Sequence, residues 1–99
     1  MMRGTTPTLT FGLPIEATML AVCYITFQEE GEIIFEKTLD DCRIDGCKLH
    51  IDLTQEDTLK FSNNAVVDIQ LRGRTVDGKA IGSRYCRTCA ERIMKEGVI

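Results

Sequence analysis

Val67, Ile69 and Leu71 alternate with Asp68, Gln70 and Arg72. Successive side chains of a β-strand leave on opposite faces, so this period of two gives one apolar face and one wet face and marks a half-buried strand. The same period recurs in Thr8-Leu9-Thr10-Phe11-Gly12-Leu13, which Pro14 ends, and in Leu49, Ile51 and Leu53, which face a core while Lys48, His50 and Asp52 face water. Met19 to Phe27 is apolar on both faces and reads as a central strand covered on both sides. Turns fall between these runs. Glu29-Glu30-Gly31 leads into a return strand at Glu32 to Lys37. Asp45-Gly46 sits between Cys42-Arg43-Ile44 and Cys47 to Leu53, and Asp77-Gly78 precedes a last strand starting near Lys79.

Thr54-Gln55-Glu56-Asp57 has the chemistry of a helix start, with Thr54 as N-cap, but Ser62-Asn63-Asn64 follows too soon for more than one turn. From Arg84 onward the pattern fits neither period, which a bulge or a short terminal helix explains. Six or seven short strands with no helix long enough for a crossover give an all-β fold, a single small antiparallel β-sandwich with at most short helical turns. It occupies residues 1–99, with 1–6 and 91–99 as terminal extensions. The core stripe is expected at Val67, Ile69 and Leu71, with Leu20, Val22, Leu49, Ile51, Leu53 and Phe61 packed nearby.

Charge and hydropathy exclude several function classes. The longest apolar run, Met19 to Ile25, is about seven residues against the roughly 20 a bilayer span needs. No signal-peptide pattern follows Met1, so no membrane partner and a cytoplasmic location are expected. Twelve basic residues against 15 acidic ones leave a net charge of −3, which speaks against a nucleic-acid partner. Five cysteines in such a setting are expected to stay reduced.

Two close cysteine pairs, Cys42 with Cys47 and Cys86 with Cys89, could together supply four thiolates for a tetrahedral zinc site. Against this, Cys42 and Cys47 flank a hairpin turn, and in a regular strand Cys86 and Cys89 point to opposite faces. The favoured reading is thiols that pack as small hydrophobes, with no cofactor, and the zinc-stapled adaptor is the alternative. Cys86-x-x-Cys89 as a redox dithiol lacks the helix start that motif uses. His50, the one histidine, lies on an expected solvent face, and the acid pairs Glu29-Glu30, Asp40-Asp41 and Glu56-Asp57 all fall in turns. No nucleophile, base and orienting group can be placed together, so a non-enzyme is expected. Arg72, Arg74, Arg84 and Arg87 form either a local positive patch or, the favoured reading, a solvated ladder with acidic cross-strand partners.

The order Arg3-Gly4-Thr5-Thr6-Pro7, Phe11, Leu13-Pro14, then Leu53 to Phe61, Val67 to Arg72 and the terminal Glu91 to Ile99 resembles small uncharacterised prophage-encoded proteins of Clostridia-type bacteria. The likeness spans nearly the whole chain and implies a phage structural or assembly protein with an immunoglobulin-like sandwich. It also implies a location in the bacterial host or the virion, and as partner either a second copy of the chain or another phage structural protein. It transfers no catalytic residue. The apolar Ile93, Met94, Val98 and Ile99 near the C-terminus are expected to meet a partner or symmetry mate rather than the chain's own core.

Overall fold

The computed structural model describes residues 1–99 as eight strands and one short helix. The strands are β1 (Thr8–Gly12), β2 (Leu20–Glu29), β3 (Glu32–Thr38), β4 (Cys42–Asp45), β5 (Lys48–Asp52), β6 (Ala65–Thr75), β7 (Ala80–Gly82) and β8 (Cys86–Ala90), with α1 (Gln55–Leu59) between β5 and β6. One sheet has the order β1-β5-β4. The other has the order β3-β2-β6-β7, and β8 extends the same edge of β6 beyond β7. All named pairings are antiparallel. Two antiparallel sheets packed over one core make the small all-β sandwich that the strand periods predict. Its extents of 47 × 26 × 16 Å follow the long strands β2 and β6.

The core forms where the two apolar faces meet. Cys23, Ile25 and Phe27 of β2 and Val67, Ile69 and Leu71 of β6 are buried in one cluster with Leu49, Ile51, Leu53 and Phe61. Phe27 and Phe35 are cross-strand partners, and their rings stack at 4.4 Å with Phe61 tilted beside them.

The reading of β2 as covered on both sides is corrected: its other face carries Val22, Tyr24 and Thr26 and has no layer over it, leaving Tyr24 48% exposed. Val22 accordingly leaves the expected core list, while Leu20 stays in it. A register shift between Leu20 and Val22 against β6 lets Leu20 and Cys23, three positions apart, both turn inward.

The hairpin between β4 and β5 also differs from expectation by one residue. Asp45 pairs with Lys48, so the two-residue loop is Gly46-Cys47 and not Asp45-Gly46. Gly46 has φ +57° while Cys47 does not share the positive φ, the φ signature of a type II′ turn with glycine first. The segment before β2 pins this choice, because the Leu13 N–H donates to the Cys47 carbonyl and the Ala17 N–H to the Gly46 carbonyl.

The one-turn helix is as short as expected and is closed by a capping box. Thr54 Oγ1 accepts from the Asp57 N–H, and the Asp57 carboxylate accepts from the Thr54 N–H. Beyond Arg84 the chain forms β8 rather than a terminal helix.

Residues 1–6 and 91–99 lie against each other. Met2 and Glu91 form a parallel bridge, and the side chain of Arg3, only 8% exposed, donates to the carbonyls of Leu59 and Phe61, to Asn63 and to Glu96. Glu96 and Ile93 therefore contact the chain's own body, Ile93 over Gly4, whereas Met94 and Ile99 are almost fully exposed. No helix is long and apolar enough to cross a membrane.

Candidate interaction surface

The four cysteines weighed as zinc ligands do not converge. Cys42 and Cys47 sit at the two ends of the β4-β5 hairpin in the smaller sheet, whereas Cys86 and Cys89 lie on β8 in the larger one. Within β8, Cys86 pairs with inward-facing Ile69 and Cys89 with outward-facing Val66, so those two point to opposite faces. No group of three or more His, Cys, Asp or Glu side chains is arranged to hold a metal ion. The thiol that does neighbour Cys42 is the buried Cys23. Burial, and then the proximity of Cys42, pushes the Cys23 thiol up to about 11. Burial, and then the Asp41 carboxylate, raises Cys42 as well. Both remain protonated and poorly nucleophilic.

The outer face of the smaller sheet satisfies itself. Thr10 Oγ1 lies 2.9 Å from His50 Nδ1, Thr8 Oγ1 donates to Asp52, and Arg43 donates two bonds to Asp52 at 2.9 and 3.0 Å. The paired hydrogen bonds from Arg43, then that from Thr8, hold the Asp52 carboxyl down at about 2. Asp45 lies 3.6 Å from His50 Nε2. His50 thus faces the solvent side and is held between the Thr10 hydroxyl and the Asp45 carboxylate. Every charge on this face except Lys48 has a polar partner, so it offers little to another molecule.

The outer face of the larger sheet is built differently. Its rows follow from register: Thr38, Tyr24, Arg72 and Gly82 lie across the four strands in one row, and Val22, Arg74 and Ala80 in the next. The ladder of arginines with acidic partners exists only at Arg87, which donates twice to Asp68 and lies 5.9 Å from the Tyr85 ring. Those hydrogen bonds hold Asp68 below the usual carboxylate range. Arg72, Arg74 and Arg84 have no carboxylate within 4 Å, and Arg72 and Arg74, in adjacent rows of the same face of β6, form a local positive patch. Beside them Tyr24 and Tyr85 are 48% and 61% exposed. Arginine without an acidic partner next to exposed tyrosine is the composition enriched at protein contacts.

Sequence reasoning missed Val22, Tyr24 and Tyr85 as surface residues. The signal lay in β6: Arg72 and Arg74 require a wet face opposite Ile69 and Leu71, and any strand beside β6 must share that face. No protein-family model, curated protein or solved structure matches the chain.

Proposed function

We propose that the chain is a non-enzymatic phage or prophage structural or assembly module that works through protein-protein contacts. The observation that supports the contact role is the difference between its two outer faces. The smaller sheet presents a self-paired polar ladder, and the larger one presents Val22, Tyr24, Arg72 and Arg74 with no partner inside the molecule. Leaving such a patch uncovered on so small a domain is what an interaction site looks like. The phage context rests on the resemblance carried by segments 3–14, 53–61, 67–72 and 91–99. An enzyme reading has only the line Thr10, His50 and Asp45 to draw on, a hydroxyl, an imidazole and a carboxylate on the open outer face of the smaller sheet, and the grooves beside Val22 and Tyr24 do not include it.

Particles and assembly intermediates from an induced lysogen, separated on a density gradient and probed for this chain by mass spectrometry, test the reading. Co-sedimentation with particles or with a subassembly is expected. Recovery only in the unassembled fraction, with particles complete without it, overturns it.

A further inference from the structure

The outer face of the larger sheet is self-complementary in charge about a single apolar ridge. Val22 and Tyr24 of β2 form the ridge, and a shallow groove runs along each side of it. On the β6 side the groove is bounded by Arg72, Arg74 and Ala80. On the β3 side it is bounded by Thr38, Leu39 and Asp40. Ala80 and Gly82, the β7 neighbours of Arg74 and Arg72, are too small to cover either guanidinium. Asp40 has no hydrogen-bond or ion-pair partner, whereas its neighbour Asp41 is engaged by the Thr38 N–H and hydroxyl. Glu36, outward on β3 in the row of Thr26 and Gln70, adds acid to the same side.

We propose that this face binds a second copy of the chain in an isologous dimer whose twofold axis runs along β2. The proposal deepens the assembly reading above and rests on it. Any in-plane twofold axis brings one sheet face onto its own copy, and the strand direction defines the two limiting choices. An axis across the strands lays the β6 side of one copy on the β6 side of the other and sets arginine against arginine. An axis along β2 exchanges the two sides. It places Val22 and Tyr24 against their own counterparts and Arg72 and Arg74 over the partner's Asp40, twice by symmetry. Adjacent strands lie about 4.8 Å apart, so the opposite charges flank the ridge at the spacing this exchange needs. Like charges facing each other across a contact are strongly disfavoured, so the charge pattern selects the axis. The apolar ridge supplies the centre and the paired charges the rim of an ordinary interface.

Sedimentation velocity and light scattering on the full chain, over a concentration series at low and high salt, read the outcome. The wild type is expected to dimerise, with the dimer weakened by salt. Tyr24→Glu, Asp40→Lys and the double change Arg72→Glu with Arg74→Glu are each expected to weaken self-association by about tenfold or more. All four positions are exposed, and circular dichroism melting verifies that each variant stays folded.

Mixing Asp40→Lys with the doubly substituted arginine variant is the decisive arm. In that heterodimer the introduced lysine faces the two introduced glutamates, and the native Arg72 and Arg74 face the native Asp40, so association is expected to return. A wild type that stays monomeric at millimolar concentration overturns the proposal, as does a dimer untouched by Tyr24→Glu or a mixture that does not associate. None of these three results removes the chain from phage particles, so the gradient experiment still decides the assembly reading separately.

Discussion

The guanidinium of Arg3 and the carboxylate of Glu96 meet at 2.8 Å, and the same guanidinium also reaches the Phe61 carbonyl at 2.6 Å and the Leu59 carbonyl at 3.2 Å. One buried side chain thus closes the C-terminal end of α1 and ties the first residues of the chain to its last. The hydrogen bond from Arg3 holds Glu96 below its ordinary range. Arg3→Met leaves the two carbonyls without their charged donor and should cost roughly 1.5 to 3 kcal/mol in chemical denaturation. Glu96→Gln, at an exposed carboxylate, should do far less. Deleting residues 91–99 should leave a folded domain with a lowered midpoint. An unfolded truncation would place the tail in the core.

Ile69 is buried at the middle of β6 between Val67 and Leu71. Ile69→Ala should cost roughly 2 to 5 kcal/mol, a large share of the stability of a domain this size. Asp68→Ala, on the opposite face, removes only a surface pair with Arg87 and should move the denaturation midpoint far less. Equal effects at the two positions would mean that the facing of β6 is reversed.

The parts legible in sequence are those where a local rule and one buried face coincide. Val67, Ile69 and Leu71 could face only inward once Asp68, Gln70 and Arg72 faced out, and the N-cap at Thr54 needs nothing beyond four consecutive residues. What was not legible depends on distant segments. The run Met19 to Phe27 reads the same whether one face or two are covered, and only its pairing with β6 decides. The loop at Gly46-Cys47 rather than Asp45-Gly46 is fixed by donors at Leu13 and Ala17. The strand β8 exists because residues 65–69 offer it an edge. The contact surface was hidden for the same reason: that Arg72, Arg74 and Asp40 lack partners is a property of the folded chain, not of their spacing.

Gly73 lies opposite Cys23, where β2 shifts register, and a Cβ there would meet the Val22 carbonyl oxygen at 3.0 Å and Leu20 Cδ2 at 3.2 Å. The obstacle is partly backbone and cannot swing away. Gly73→Ala should therefore destabilise by about 1 to 3 kcal/mol despite the better strand propensity of alanine. Gly12, at the end of β1, has nothing within 4 Å of its missing Cβ, and Gly12→Ala should stay within about 0.5 kcal/mol of the wild type. A thermal melt of the two variants side by side separates close approach from simple glycine entropy.

The thiols should fall into three classes toward a mild alkylating reagent at neutral pH. Cys47, Cys86 and Cys89 are exposed and should react in the native protein. Cys42, partly buried and raised by that burial and then by Asp41, should lag. Cys23, buried and pushed up to about 11, should react only on unfolding. Peptide mapping after timed quenching reads this order, and early labelling of Cys23 would show that the core opens near β2.

The buried carboxylate of Asp57 gives the clearest pH signature. Burial raises its pKa, but the Thr54 N–H at 2.9 Å and the Lys37 ammonium at 3.0 Å outweigh that and leave it below its usual 3.8. The unfolded chain therefore takes up a proton at Asp57 at a higher pH than the folded chain does. As the pH falls from above 3.8 through the folded value, the unfolded state binds more protons and stability declines. The contribution is present in full at neutral pH and lost under acid. Asp52, lowered from 3.8 to about 2, acts in the same direction as the pH falls through that interval. Thr54→Ala should lower stability by about 0.5 to 2 kcal/mol by removing the cap to the Asp57 N–H. Asp57→Asn should lower stability at neutral pH and flatten the acid limb of the profile, because the neutral amide cannot titrate. Melting temperatures of wild type, Thr54→Ala and Asp57→Asn measured between neutral pH and acid test this. An acid limb equally steep in Asp57→Asn would show that the lost proton linkage belongs to other carboxylates.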